Sequence, residues 1–229
     1  MCWWPMESDM AEKEEIIIRA YKKEDRESIR KICCDTAFMG QPMEIFFDDR
    51  EILADIFTAY YTDYESESTF VADFKGNVVG YLIGCKNTTT KEKVFFRFIL
   101  PKILIIFIKK GLIFKQKTSR FLFHAIKSLL KGEFQTPKIP KDYPADLHIN
   151  VDERFRRFGL GTKLMESFFE YLRKNKIYGI HLATFSEQGR NFFLKTGFVL
   201  LSERTTSQWR YLIDREIKTS TLGKLLKED

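Results

Sequence analysis

One stretch restricts the folds open to this chain more than any other. The alternating run Leu147-His148-Ile149-Asn150-Val151 leads through Arg156-Arg157-Phe158-Gly159-Leu160-Gly161-Thr162 into a helical pattern. The alternation of apolar and polar side chains predicts a strand with one buried face. Beyond it, Leu160, Leu164, Phe168 and Leu172, joined by Met165, Phe169 and Tyr171, recur at helical spacing. Lys163, Glu166, Glu170, Arg173 and Lys174 take the remaining surface, as on an amphipathic helix.

A strand that turns through glycines straight into a helix leaves the N–H groups of the first turn without intrahelical partners. An anion set there gains those hydrogen bonds and the positive end of the helix dipole, about 0.3–1 kcal/mol for an exposed charge. At Gly159 and Gly161 a Cβ would obstruct either a phosphate approaching the backbone or the helix packing on the strand, and Arg156 and Arg157 add mobile positive charge. An ordinary strand-to-helix turn, with glycines serving only φ > 0, is the competing reading of these residues taken alone.

The spacing Arg156-x-x-Gly159-x-Gly161 resembles the acyl-CoA pyrophosphate motif of the GCN5-related N-acetyltransferase (GNAT) family, [QR]-x-x-G-x-[GA]. Ile149 to Phe155 is similar to that family's fourth strand and following turn, and Ile180 to Thr184 to its fifth strand. Phe192-Phe193-x-Lys195-x-Gly197-Phe198 resembles its F-Y-x-K-x-G-F segment, and Thr184-Phe185-Ser186-x-Gln188 a T-F-x-x-Q variant. The resemblance implies an α/β acyl-CoA N-acyltransferase fold, a mixed central sheet flanked by helices. It implies acetyl-CoA as co-substrate, direct attack by an amine, and no metal. Backbone groups near Ile149, Asn150 and Val151 would hold the pantetheine arm between splayed strands. Residues Arg156, Arg157, Phe158, Gly159, Leu160, Gly161 and Thr162 would hold the pyrophosphate, with Phe193 packing against the cofactor. The acceptor would be a small-molecule or peptide amine.

One departure from the family pattern bears on the chemistry. The usual general acid is a tyrosine, and Phe193 stands in its place, unable to donate a proton. Ser186 and Tyr211 are substitute donors. The alternative function is a noncatalytic acyl-CoA-binding or interaction module whose basic apolar insertion docks a partner or membrane surface. For the base, His148 and Asn150 share one face of their strand and Glu187 follows the fifth strand, with Asp35 and Glu44 as further acids. His148 has an ordinary pKa near neutrality, although a structural histidine on the sheet explains it equally. His181 carries the same ambiguity, and His124 is expected on a helix surface.

The front half reads as strand (Ile16 to Arg19), helix (Lys22 to Phe38), helix (Arg50 to Tyr61), then strands Thr69 to Ala72 and Val78 to Ile83 joined by a turn at Asp73 to Asn77. Met39-Gly40-Gln41-Pro42 falls where the resembled family often shapes its acceptor site. Between the third and fourth strands lies an insertion at about 90–140, far longer than ordinary hairpin loops. From Lys91 to Lys131 it carries eleven Lys or Arg against the single acid Glu92, which leaves the rest of a +6 chain net acidic.

Its apolar run is broken by Lys102, Lys109 and Lys110, which argues against a bilayer span of about 20 apolar residues. Three readings remain: helices packed on the domain with snorkelling lysines, a basic amphipathic surface touching anionic lipid, or a lid or homodimer interface. Nucleic acid is not expected, because the basic residues alternate with aliphatics rather than forming a groove-reading motif.

At 229 residues the chain suits one domain, here 15–229, preceded by a flexible lead-in at 1–14, within which Met6 or Met10 would serve equally as the start. The opening residues lack the basic and apolar regions of a secretory signal. Cys2, Cys33, Cys34 and Cys85 show no metal-ligand spacing, and a reducing, cytoplasmic setting is expected.

Overall fold

A computed structural model describes residues 15–133 and 138–227. The expected lead-in at 1–14 lies outside the described residues. Among the described residues seven strands form one sheet: β1 (Ile16–Ala20), β2 (Thr69–Phe74), β3 (Asn77–Cys85), β4 (Ala145–Val151), β5 (Gly179–Thr184), β6 (Val199–Thr206) and β7 (Ile217–Leu225), in the order β1-β2-β3-β4-β5-β7-β6. All neighbours are antiparallel except β4 and β5. The β2–β3 hairpin closes at the Phe74↔Asn77 pair through Lys75 and Gly76, both with positive φ, the conformation that a two-residue hairpin turn demands.

The expected first helix is shorter than its apolar pattern. Lys23–Asp25 is a 3₁₀ turn, and α1 spans Arg26–Asp35. Its end is chemical: Thr36 donates its hydroxyl to the Ile32 carbonyl, and Met39 and Gly40 take positive φ as the chain reverses through the Phe38↔Gln41 bridge. Helix α2 (Arg50–Asp63) begins at Asp49, whose carboxylate accepts from the Ile52 N–H at 3.0 Å.

The insertion leaves β3 and returns to β4 at one point, where Thr88 donates from its N–H (2.9 Å) and its hydroxyl (2.7 Å) to the Pro144 carbonyl. Because its base is closed, β3 and β4 stay paired from Gly80↔Val151 to Cys85↔Asp146. It contains α3 (Thr88–Val94), a π-helical turn (Phe95–Ile99), α4 (Leu100–Lys109) and α5 (Gln116–Leu130). Pro101 in the first turn of α4 has no N–H to give the preceding turn, and the ladder widens just ahead of it, with Leu100 N–H reaching Phe95.

Ile99, Ile103 and Leu112 enter a core layer between the sheet and α1–α2. Phe121 packs on Phe46, Phe47 and Trp209 with ring centroids 5.4–5.9 Å apart. Lys91 pairs with Asp146, whose other oxygen accepts from the Tyr61 hydroxyl (3.2 Å) and lies 3.1 Å from the Cys85 thiol.

The opposite face of the sheet carries the second core layer, built on α6 (Leu160–Lys174). Leu160, Leu164, Met165, Phe168 and Leu172, the residues of the apolar stripe, are almost fully buried there. Helix α7 (Glu187–Lys195) follows β5, and α8 (Arg210–Ile213) is a single turn between β6 and β7.

Candidate active site

Strands β4 and β5 pair only at Ala145↔Ile180 and Asp146↔His181 and then part. The gap opens into a cleft of about 440 Å³ walled by Leu147 to Val151 on one side and Leu182 to Ser186 on the other. Its end is the start of α6. Gly159 is the residue before the helix, with φ +75° and no capping side chain, and the first intrahelical bond runs from Lys163 N–H to Gly159 O at 3.2 Å. The N–H groups of Leu160, Gly161 and Thr162 therefore precede the ladder, and all three residues line the cleft.

A Cβ built on Gly159 would meet nothing within 4 Å, so open space lies beside it, and its φ of +75° favours glycine. At Gly161 a Cβ would come within 2.9 Å of the Phe192 ring, so this glycine serves the packing of α6 against α7. Arg157 shares the positive φ of 75° and is exposed at the rim. Arg156 donates from Nε to the Val151 carbonyl (3.3 Å), and its guanidinium lies against Gly40, where a Cβ would stand 3.2 Å from both terminal nitrogens. The Met39–Gly40 turn thus meets the α6 end of the cleft through Arg156.

Of the residues expected to hold cofactor, Ile149, Val151, Arg156, Arg157, Gly159, Leu160, Gly161, Thr162 and Phe193 line this one cleft. Phe158 does not; it is half-buried against the second core layer, 6.2 Å from the Phe155 ring. Phe193 is 6% exposed and packs edge-on to Phe198 at 5.4 Å.

His148 and Asn150 face the α1–α2 side. Asn150 donates through Nδ2 to the Tyr81 hydroxyl at 2.9 Å and lies 3.0 Å from His148 Nε2. With the amide so oriented the imidazole accepts at Nε2 and carries its proton on Nδ1. The ring is open to solvent through the cleft mouth yet crowded by Tyr81 at 6.2 Å and Phe57 at 6.4 Å. That crowding pushes its pKa down to about 4, with Asp146 opposing and Lys91 assisting. At neutral pH His148 is uncharged and a weak base.

Glu187 stands exposed in the first turn of α7, beside Gln188 and Gly189, which line the cleft as Glu187 itself does not. Asp35 pairs with Lys31 and Arg50, and Glu44 with Arg50, so both carboxylates have cationic partners. Ser186 lines the cleft and accepts from Gly189 N–H at 3.2 Å, leaving its hydroxyl proton free to be donated. Tyr211 is away from the cleft lining; it stacks on His124 at 4.3 Å, and burial pushes its hydroxyl up to about 12. His181 is buried with Nδ1 2.8 Å from the Tyr143 carbonyl, a structural role.

Two residues of this neighbourhood escape sequence reasoning. Tyr81, fully buried on β3, meets Asn150 because the register pairs them, a relation no local pattern carries. Cys33 lines the cleft from α1, and burial pushes its thiol up to about 12, so it stays protonated and is no nucleophile at neutral pH.

A sheet parted between two parallel strands, ending on an uncapped helix N-terminus, defines the class: an acyl-CoA acyltransferase fold. Residues 131–198 match the model of the acetyltransferase (GNAT) family. Solved structures agree in fold. The crystal structure of SsHAT superposes with a TM-score of 0.67 at 22% identity, covering 93% of this chain and 100% of that one. A Drosophila melanogaster polyamine N-acetyltransferase gives 0.57 at 14% identity over 92% and 100%. The putative acetyltransferase yncA from Salmonella typhimurium, solved with its cofactor acetyl-CoA, gives 0.55 at 13% identity over 94% and 96%. At these identities the fold is what is shared. No curated protein matches the chain in sequence.

Proposed function

We propose that this protein transfers an acetyl group from acetyl-CoA to an amine by direct attack. The observation that carries the reading is the β4–β5 gap running into the first turn of α6, where Leu160, Gly161 and Thr162 offer N–H groups beside Arg156 and Arg157. The pyrophosphate would bind there and the pantetheine arm would lie along Ile149 to Val151. The amine nitrogen attacks the thioester carbonyl, a C–N bond forms and the C–S bond breaks. His148 and, at the rim, Glu187 are the basic groups this reading assigns to the departing amine proton. Asn150 holds the imidazole in one tautomer. The thiolate takes its proton from Ser186 or water, since Phe193 has none to give.

Among the described residues the cleft wall contains no carboxylate; its charged members are Arg156 and Arg157. A protonated amine would find no counter-ion in the wall itself, and only the solvated Glu187 carboxylate at its rim. The wall favours an amine that is largely neutral near pH 7–8, such as a peptide α-amine of pKa about 8 or a less basic one, over a lysine ε-amine at about 10.4.

Isothermal titration with acetyl-CoA, followed by thiol release with amines graded in basicity, tests both parts. Absence of acetyl-CoA binding overturns the function, and a preference for strongly basic amines overturns the acceptor class. The second reading, a noncatalytic acyl-CoA-binding module, is favoured by one observation: the buried phenyl ring at Phe193. Binding without thiol release for any amine would establish it.

A further inference from the structure

The insertion packs with one side only. Twelve of the twenty large apolar side chains that the described residues leave exposed lie between Phe96 and Leu130. On α4, Ile103 is buried at 5% exposure, whereas Leu104, Ile105 and Ile108 on the other side are half or more exposed, Ile108 at 75%. On α5, Phe123, Ile126 and Leu130 recur at i, i+3 and i+7 on the face opposite buried Ser128 and half-buried Phe121. Between the helices Ile113 and Phe114 project at the connection, Phe114 at 89% exposure. So much exposed apolar surface marks a contact surface.

Charge says what covers it. Eleven basic residues and one acid lie between Lys91 and Lys131, while the remainder of the chain is net acidic. Three of the insertion's cations have carboxylate partners: Lys91 with Asp146, Lys110 with Asp49, Lys131 with Glu133. Lys93, Lys102, Lys109, Lys115 and Lys127 have no described carboxylate partner, and Lys109, Lys115 and Lys127 directly follow the exposed Ile108, Phe114 and Ile126. A second copy would oppose this surface with the same positive charge. An anionic bilayer offers the complement, hydrocarbon for the Phe, Ile and Leu side chains and headgroup charge for the lysines. No described helix is long and apolar enough to cross a membrane. We propose that α4, the Leu112–Phe114 turn and α5 form a docking face that lays the protein on an anionic lipid surface.

The test is co-sedimentation of the full chain with phosphatidylcholine vesicles, with and without phosphatidylglycerol. Binding is expected only to the phosphatidylglycerol vesicles, and it should fall as salt rises. Lys102→Ala and Lys109→Ala should each weaken it about fivefold. The double variant Ile108→Ser, Phe114→Ser should weaken it at least as much, with melting unchanged by circular dichroism because both side chains are exposed. Equal binding to both vesicle types, or no binding to either, overturns the proposal. So does a dimer in analytical ultracentrifugation that the Ile108→Ser, Phe114→Ser variant disperses, since the face would then belong to a second copy.

Discussion

The start of α6 and the insertion both put positive charge at the surface, and they do so in opposite ways. At α6 the charge is fixed: backbone N–H groups ahead of the ladder, with Arg156 clamped between the Val151 carbonyl and Gly40. In the insertion it is spread over lysines on long stems among exposed Phe, Ile and Leu. A fixed set of donors recognises one group of one shape, whereas a spread of point charges over apolar surface recognises an area. On the two proposals made above, a single chain would separate recognition of a molecule from recognition of a surface, and the two should respond differently to substitution.

The sharpest break is at their junction. Lys91 comes from α3 in the insertion and Asp146 from β4, two residues before His148. Lys91→Met should strand a buried carboxylate and cost about 3 kcal/mol, read as a lower urea midpoint, and it should loosen both regions together. If only the insertion becomes accessible to protease, the two are energetically separate. Next in size is Gly159→Val. A β-branched residue at φ +75° costs about 1–2 kcal/mol of stability and fills the space beside the first-turn N–H groups. Acetyl-CoA affinity should fall about tenfold or more by titration, with no change in vesicle binding.

A smaller effect concerns pH. His148 is held neutral in the fold, its pKa pushed down from 6.5 to about 4, so the unfolded chain binds the extra proton first. Its contribution is present above pH 6.5 and is lost as pH falls towards 4. His148→Gln should flatten the melting temperature across that window, and an unchanged slope would remove the crowded imidazole from the account. The smallest effect is expected at Phe114→Ser, within about 0.5 kcal/mol of wild type in the same urea experiment, because the ring is 89% exposed.

What could be read from the chain follows the range of each interaction. The β4–α6 unit was legible because its alternation, glycines and apolar stripe are local, and the stripe from Leu160 to Leu172 is buried as its spacing predicts. The same holds for the β2–β3 hairpin. Strands β6 and β7 gave no comparable signal: β7 reads Ile-Lys-Thr-Ser-Thr-Leu-Gly-Lys-Leu and is fixed by pairing with β5 and β6 rather than by its own pattern. In the cleft, the glycine turn into α6 follows from a motif, but the Tyr81–Asn150–His148 chain depends on strand register across 69 residues. The purpose of Gly161 was only half legible, since either a phosphate or a packed ring explains it; the ring is Phe192.

The parting of β4 and β5 after two residue pairs has a further consequence. It leaves a ladder unfinished in the middle of the sheet, where a tail bearing amide groups can lie as if it were a missing strand. The bound cofactor would then be a structural member of the fold as well as a reagent. Its occupancy should raise the unfolding temperature with concentration, as any ligand of the native state does, and should tie the two halves of the sheet into one cooperative unit.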